Sequence, residues 1–336
     1  MPKYVLTGAD GKLGSAAADF AVEIAKPEDK LVFTTYKLGA IPKEKLEAWK
    51  AQGAEVVEAS YDDPPSMLAA FQGAEAVSMV STWAFGERRE QAARVIDACK
   101  QCAVRRICYT SFVGAGEEVE KEEDLPFLPR DHAHIEKLIK ASGLEYNIQR
   151  NYLYADNIAE LFVPCWQFCG DSWLNNTHHV RGAYVARDDC GRVQAALLLG
   201  RGQPNKVCHV TGPEAVTDGQ IMDWICDQTG YQCEFVDMPD AELRRWWADK
   251  GLPDDFRGDF SKLPMKLCME DLLCCGEMVA KGFMLETSDV VERLTGRRPM
   301  RFRETLMKYK STFPRPRTRR IATTSRTTAG NEGRPG

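Results

Sequence analysis

Near the amino end, "KYVLTGADGKLGSAAADFAVEIA" sets three glycines at Gly8-x-x-Gly11-x-x-Gly14, between an apolar run and a helical pattern. A glycine-rich turn that leaves a strand and opens a helix is built to cradle phosphate. Gly8 permits the tight turn, Gly11 lets backbone approach a pyrophosphate, and Gly14 lets helix and strand pack closely. The first amides of the helix, around Lys12 and Leu13, then face the anion. Asp10 sits inside this loop. An aspartate in a tight turn bonds backbone two residues on, so Asp10 is read as shaping the loop. The other reading sets its charge against the pyrophosphate, partly offset by Lys12. After the second apolar run, "KLVFTTYKLG" places Tyr36 and Lys37 where an acid would accept bonds from an NAD ribose. A lysine there attracts a ribose 2′-phosphate, so NADPH is the expected cofactor, with Tyr36 near the adenine.

These residues need a scaffold, and the first half of the chain supplies one. "KYVLT", "KLVFTTY", "AEVVEAS", "AEAVSMVS", "RRICYTS" and "LEYNIQRN" read as six strands, with amphipathic helices at about 13–25, 42–52, 64–72, 86–102 and 129–142. Strand–helix alternation implies an α/β fold, a doubly wound parallel (Rossmann) sheet with ligands outside the carboxyl ends of its strands. Later, "GAYVARDDCGRVQAALLLG" reads as a strand and a helix, and "KVCHVTG" as another strand. From Thr217 helical patterns dominate. The expected organisation is a dinucleotide-binding domain over 1–155, with a contribution from about 183–211. A mostly helical substrate lobe over 212–313 and a disordered basic tail over 314–336 complete it.

Bulk composition narrows the function classes. Of 336 residues, 44% are hydrophobic and 28% charged, as in globular proteins with a sizeable core. The tail carries six arginines against Glu332, so the body holds −10 of a chain whose total is −5. Such an acidic body is a poor nucleic-acid surface. No apolar run reaches membrane-spanning length and the amino end lacks a signal pattern, so a cytoplasmic location is expected. Twelve cysteines include Cys99-x-x-Cys102 and Cys274-Cys275, but no second cluster stands in register with them, and His178-His179 lacks companions. Buried thiols are expected, and no metal.

With "VLTGADGKLGS", "RRICYTS", "HAHIEKLIKASGLEYNIQRNYLYADN", "YVARDDCGRVQAALL", "GLPDDF" and "DVVERLTGRRP" in view, the chain resembles the NmrA-like atypical short-chain dehydrogenases over about residues 3–310. The nearest branch is that of the NADPH:quinone oxidoreductases and triphenylmethane dye reductases. The resemblance implies an oxidoreductase selecting NADPH through a basic residue, here Lys37, one place later than usual. At Asp10 the family usually carries Thr, Ser or Asn. It implies that Ser81, Thr82 and Ser111 flank the nicotinamide half of the cofactor. Helix 129–142 has no tyrosine, so the Tyr-x-x-x-Lys pair of standard short-chain dehydrogenases is absent. His132 stands where related reductases carry a catalytic lysine, and Tyr154 is taken with it as a catalytic candidate. Tyr152 is assigned to the cofactor; Asn151, Trp83 and Phe85 are assigned to a planar small-molecule substrate such as a quinone, dye or conjugated carbonyl. The alternative is a non-catalytic NADP(H)-binding redox sensor contacting a regulatory protein. A redox-neutral enzyme using fixed NADP, and a homodimer, also stay open.

Overall fold

The computed structural model describes residues 1–316. The first half runs β1 (Lys3–Leu6), α1 (Lys12–Ile24), β2 (Lys30–Thr35), α2 (Lys43–Ala51), β3 (Glu55–Glu58), α3 (Pro64–Phe71), β4 (Ala76–Met79), α4 (Arg88–Gln101), β5 (Arg106–Phe112), α5 (Phe127–Ala141) and β6 (Glu145–Asn151). The prolines that begin α3 occupy its first turn, where a missing N–H costs no hydrogen bond. Beyond β6 come α6 (Ala155–Asn157), which runs into a π turn over Ile158–Phe162, then α7 (Cys165–Phe168), β7 (Ser172–Asn175), α8 (Arg187–Leu198) and β8 (Lys206–Val210). The rest is α9 (Asp218–Thr229), β9 (Glu234–Asp237), α10 (Asp240–Asp249), α11 (Met269–Ala280), α12 (Val290–Thr295) and α13 (Phe302–Met307).

Seven parallel strands form one sheet in the order β3-β2-β1-β4-β5-β6-β8. The order reverses between β1 and β4, the switch point that opens a crevice at the carboxyl edge of such sheets. Strand interiors are almost continuously buried, Val5, Val32, Val77, Ile107 and Ile148 among them, because helices cover both faces. On one face α8 lies against α1 so closely that a Cβ on Gly191 would stand 2.9 Å from the backbone of Leu13 and Ala17. Only glycine permits that approach.

Two expectations change. The strand read at the start of "GAYVARDDCG" is not a sheet member: Val185 makes a single parallel bridge to Tyr154 and Gly182 one antiparallel bridge to Val216. The ladder beside β6 is already taken by β8, so this segment is held only at its crossing points. The smaller lobe is mostly helical, as expected, but it also contains a two-stranded parallel sheet of β7 and β9, paired from Ser172↔Glu234 to Asn175↔Asp237. Leu243, Trp247, Leu267 and Leu272 pack a separate core there. The expected basic tail lies, from residue 317, outside the described residues.

Candidate active site

A cleft of about 570 Å³ opens between the carboxyl ends of the strands and the lobe. Its floor is the glycine loop. Gly8 has φ +66°, a left-handed turn, and Gly11 N–H closes it onto Gly8 O at 3.0 Å. Ala9 N–H bonds Thr34 O at 2.9 Å, which pins the loop to β2. A Cβ on Gly14 would stand 2.0 Å from Gly8 O, so helix and loop approach only because no side chain is there. Gly11, Lys12, Leu13 and Gly14 line the cleft, whereas Gly8 and Asp10 do not. The expected turn-shaping bond from Asp10 is absent among the described residues, since the backbone closes the turn alone. Its half-buried side chain stands in the loop itself. Tyr36 and Lys37, both exposed, follow directly on the end of β2, outside the cleft lining.

Lys12 pairs with Glu160 of the π turn, and Glu160 reaches Arg187 at 2.8 Å. Burial pushes the Glu160 carboxyl up, but the two cations hold it below the usual range. Arg187 also bonds Asn157 at 2.6 Å and lies 5.3 Å over the ring of Tyr154.

Above the loop, Ser81 N–H donates to Thr110 Oγ1 at 2.7 Å, and the Thr82 hydroxyl donates to Gln91 at 2.6 Å. Both Ser81 and Thr82 line the cleft, as does Thr110. Ser111, expected beside them, does not: its hydroxyl donates to Glu136 of α5 at 2.7 Å. Strand alternation explains the difference. Tyr109 and Ser111 both point at α5, and Thr110 between them faces the opposite way.

His132 lines the cleft and is buried, with Nδ1 2.7 Å from the Tyr109 hydroxyl and its ring stacked on Phe112. Burial, reinforced by the positive charge of Arg88, lowers the His132 pKa well below its ordinary value, so the ring is neutral. Burial pushes the Tyr109 phenol up, so it keeps its proton. With that proton donated to Nδ1, the ring proton of His132 sits on Nε2. Tyr154 also lines the cleft, its phenol pushed up by burial and its oxygen accepting from Asn151 Nδ2 at 3.2 Å. Asn151 itself is outside the lining and acts on the cleft only through Tyr154. Tyr152 lines the cleft too, its phenol pushed up to about 12 by burial.

The opposite wall is aromatic and acidic. Trp83 and Phe85 meet edge-to-face with centroids 6.2 Å apart, and Phe127 and Phe256 pack on Phe85. Three charged residues that sequence reading passed over join them. Arg88, buried at the start of α4, donates from Nε to Thr82 O at 2.8 Å. Asp218 lies in the first turn of α9, whose start is set by the Thr217–Gln220 capping box. It takes bonds from the Tyr184 hydroxyl and from Asn175 at 2.6 Å. Asp271, in the first turn of α11, receives only Trp83 Nε1, at 3.3 Å. The signal available for the two acids was their place at helix starts, which acids occupy for reasons of capping alone.

Residues 8–165 match the family described as NAD(P)H-binding. Over 293 residues the chain is 25% identical to quinone oxidoreductase 2 of Escherichia coli, covering 87% of this chain and 93% of that one. The crystal structure of that NADPH-dependent enzyme complexed with NADPH superposes with a TM-score of 0.75, over 92% of this chain and 99% of the other, at 24% identity. An NmrA-like family domain-containing oxidoreductase of Aspergillus flavus is 22% identical over 89% of this chain and 92% of its own. The Citrobacter sp. triphenylmethane reductase complexed with NADP(H) superposes with a TM-score of 0.72 at 21% identity, over 92% of this chain and 100% of the other. The chain therefore carries an NAD(P)H-binding domain over residues 8–165, on the same fold as the quinone and triphenylmethane reductases.

Proposed function

We propose that the protein is an NADPH-dependent reductase that delivers hydride directly to a planar, electron-poor acceptor such as a quinone, a dye or a conjugated carbonyl. The observation that carries this reading is the joining, in one cleft, of the glycine loop at Gly11–Gly14, the neutral His132 and the aromatic wall of Trp83 and Phe85. NADPH, when bound, supplies the hydride.

The chain's own residues do the rest. Amides at the start of α1 hold the pyrophosphate, and the bare Gly14 lets that helix pack onto the loop. Lys37 selects the 2′-phosphate from the end of β2, next to Glu58, whose carboxylate accepts from the Leu38 amide at 2.7 Å. Ser81, Thr82 and Thr110 line the middle of the cleft, and Tyr152 and Tyr154 wall its β6 side. His132 offers its Nε2 proton as a hydrogen bond to the oxygen on which negative charge grows. It orients and stabilises rather than protonates, because losing that proton would leave an anionic ring in a desolvated place. The acceptor's final proton comes from water.

The test follows NADPH oxidation against a panel of quinones and dyes, beside His132→Ala. Turnover that falls about a hundredfold or more in the mutant supports the assignment. Tight NADPH binding with no turnover of any acceptor would replace the reductase with a redox sensor.

A further inference from the structure

Among the described residues, the cleft holds a carboxyl group that its surroundings satisfy poorly. Asp271 is 4% exposed and lines the cleft, one helical turn before Cys275, which lines it too. One carboxyl oxygen takes the long bond from Trp83 Nε1, at 3.3 Å, and the other takes none. No lysine or arginine forms an ion pair with it among the described residues. The cation whose field reaches it, Arg88, donates from Nε to Thr82 O at 2.8 Å and holds Nη1, which makes no hydrogen bond among the described residues, 3.7 Å from Asp131. Asp218, by contrast, has a hydrogen bond on each oxygen. A carboxyl withdrawn from water with a single weak donor is costly, and a ligand that brings a donor removes the cost.

We infer that Asp271 is a specificity residue that selects acceptors bearing a neutral hydrogen-bond donor, a hydroxyl or N–H, on the edge that lies against Trp83. The inference rests on the cleft being the acceptor site of the reductase proposed above. Trp83, half exposed and tethered by the same carboxylate, gives the donor-bearing ring a flat face to lie on. The nearby Arg88 charge disfavours a second cation, which is why a neutral donor fits better than a cationic one.

The probe is a naphthoquinone carrying a hydroxymethyl group on the ring remote from the carbonyls, compared with its methyl ether, which has the same shape without the donor. Affinities for both are measured calorimetrically on the full chain with NADP+ present, and turnover is measured separately with NADPH. Wild-type protein should bind the alcohol at least about tenfold more tightly than the ether. Asp271→Leu should reduce that ratio below about threefold, and Asp271→Asn, which keeps one acceptor oxygen and guards against misfolding, should fall between. Equal affinities in the wild type, or a ratio unmoved by Asp271→Leu, would overturn the inference. Preference for the alcohol in binding without any NADPH oxidation would leave Asp271 assigned and remove the reductase reading. Turnover of both compounds at equal affinity would do the reverse.

Discussion

The Tyr109 hydroxyl lies 2.7 Å from Nδ1 of His132, and both groups are buried. With the phenol as donor, this contact leaves the ring proton on Nε2. Tyr109→Phe removes the donor and lets the proton move to Nδ1, away from the acceptor. The expected result is a fall in kcat of about tenfold with little change in KM, against about a hundredfold for His132→Ala, read by steady-state kinetics.

The lowered pKa of His132 also sets a pH signature. The unfolded chain takes up a proton on this histidine near its ordinary value of 6.5, and the folded chain does so only at lower pH. Stability is therefore complete above that value and is lost as the pH falls through it towards the folded pKa. Thermal unfolding of wild type and His132→Phe across this range should show the wild type losing stability faster on acidification. The kcat profile should lack an inflection near pH 6.5, because the ring is already neutral there.

Asp10 brings a carboxylate to the loop proposed to hold the cofactor's diphosphate, and it makes no hydrogen bond there among the described residues. Asp10→Asn should therefore tighten NADPH binding, about three- to tenfold at low salt and less at high salt, as read by titration. Weaker binding would show that the carboxylate supports the loop after all.

Gly14→Ala places a methyl group 2.0 Å from Gly8 O. The loop or the start of α1 must move, so NADPH affinity should fall at least about tenfold, together with a lower melting temperature. Gly86→Ala, at φ +84° but with nothing within 4 Å of its added Cβ, should leave NADPH affinity unchanged.

Asp271 is pushed up to about 6 by burial, against the Trp83 hydrogen bond and the Arg88 charge; the Cys268, Cys274 and Cys275 thiols beside it stay protonated. A raised carboxyl binds its proton more tightly in the folded state, so stability falls as pH rises from about 4 to about 6. Asp271→Asn should stabilise the ligand-free protein at neutral pH by on the order of 2–3 kcal/mol, with the gain shrinking towards pH 4. Denaturant melts at the two pH values would measure it. A stabilising change inside a ligand cleft is what a group kept for binding rather than folding should give.

The architecture was legible because its signals are local. Six apolar runs and a glycine-rich turn were enough for the sheet, and the seventh strand, "KVCHV", was read as well. The helix read at about 64–72, opening on prolines, also stood out. The short strands Ser172–Asn175 and Glu234–Asp237 were missed because each is four residues long and exists only through the other, across a large sequence gap. The site was legible in part. Lys12, Trp83, Phe85, His132 and Tyr154 do line one cleft. Ser111 faces Glu136 of α5 rather than the cleft, and Asn151 lies behind the lining with its amide on the Tyr154 hydroxyl. Arg88, Asp218 and Asp271 were passed over because a charge at a helix start is common, and only the tertiary fold shows that these three are buried.

The twelve free cysteines acquire a meaning from this cleft. Electrophilic acceptors such as quinones arylate thiolates, so an enzyme that handles them is at risk of being inactivated by its own substrate. Here burial raises the pKa of every one of the twelve thiols, including Cys275 in the cleft wall. The thiolate is the reacting species, and it is suppressed throughout the chain. A cysteine-rich protein is in this way made chemically quiet towards reactive compounds passing along its surface.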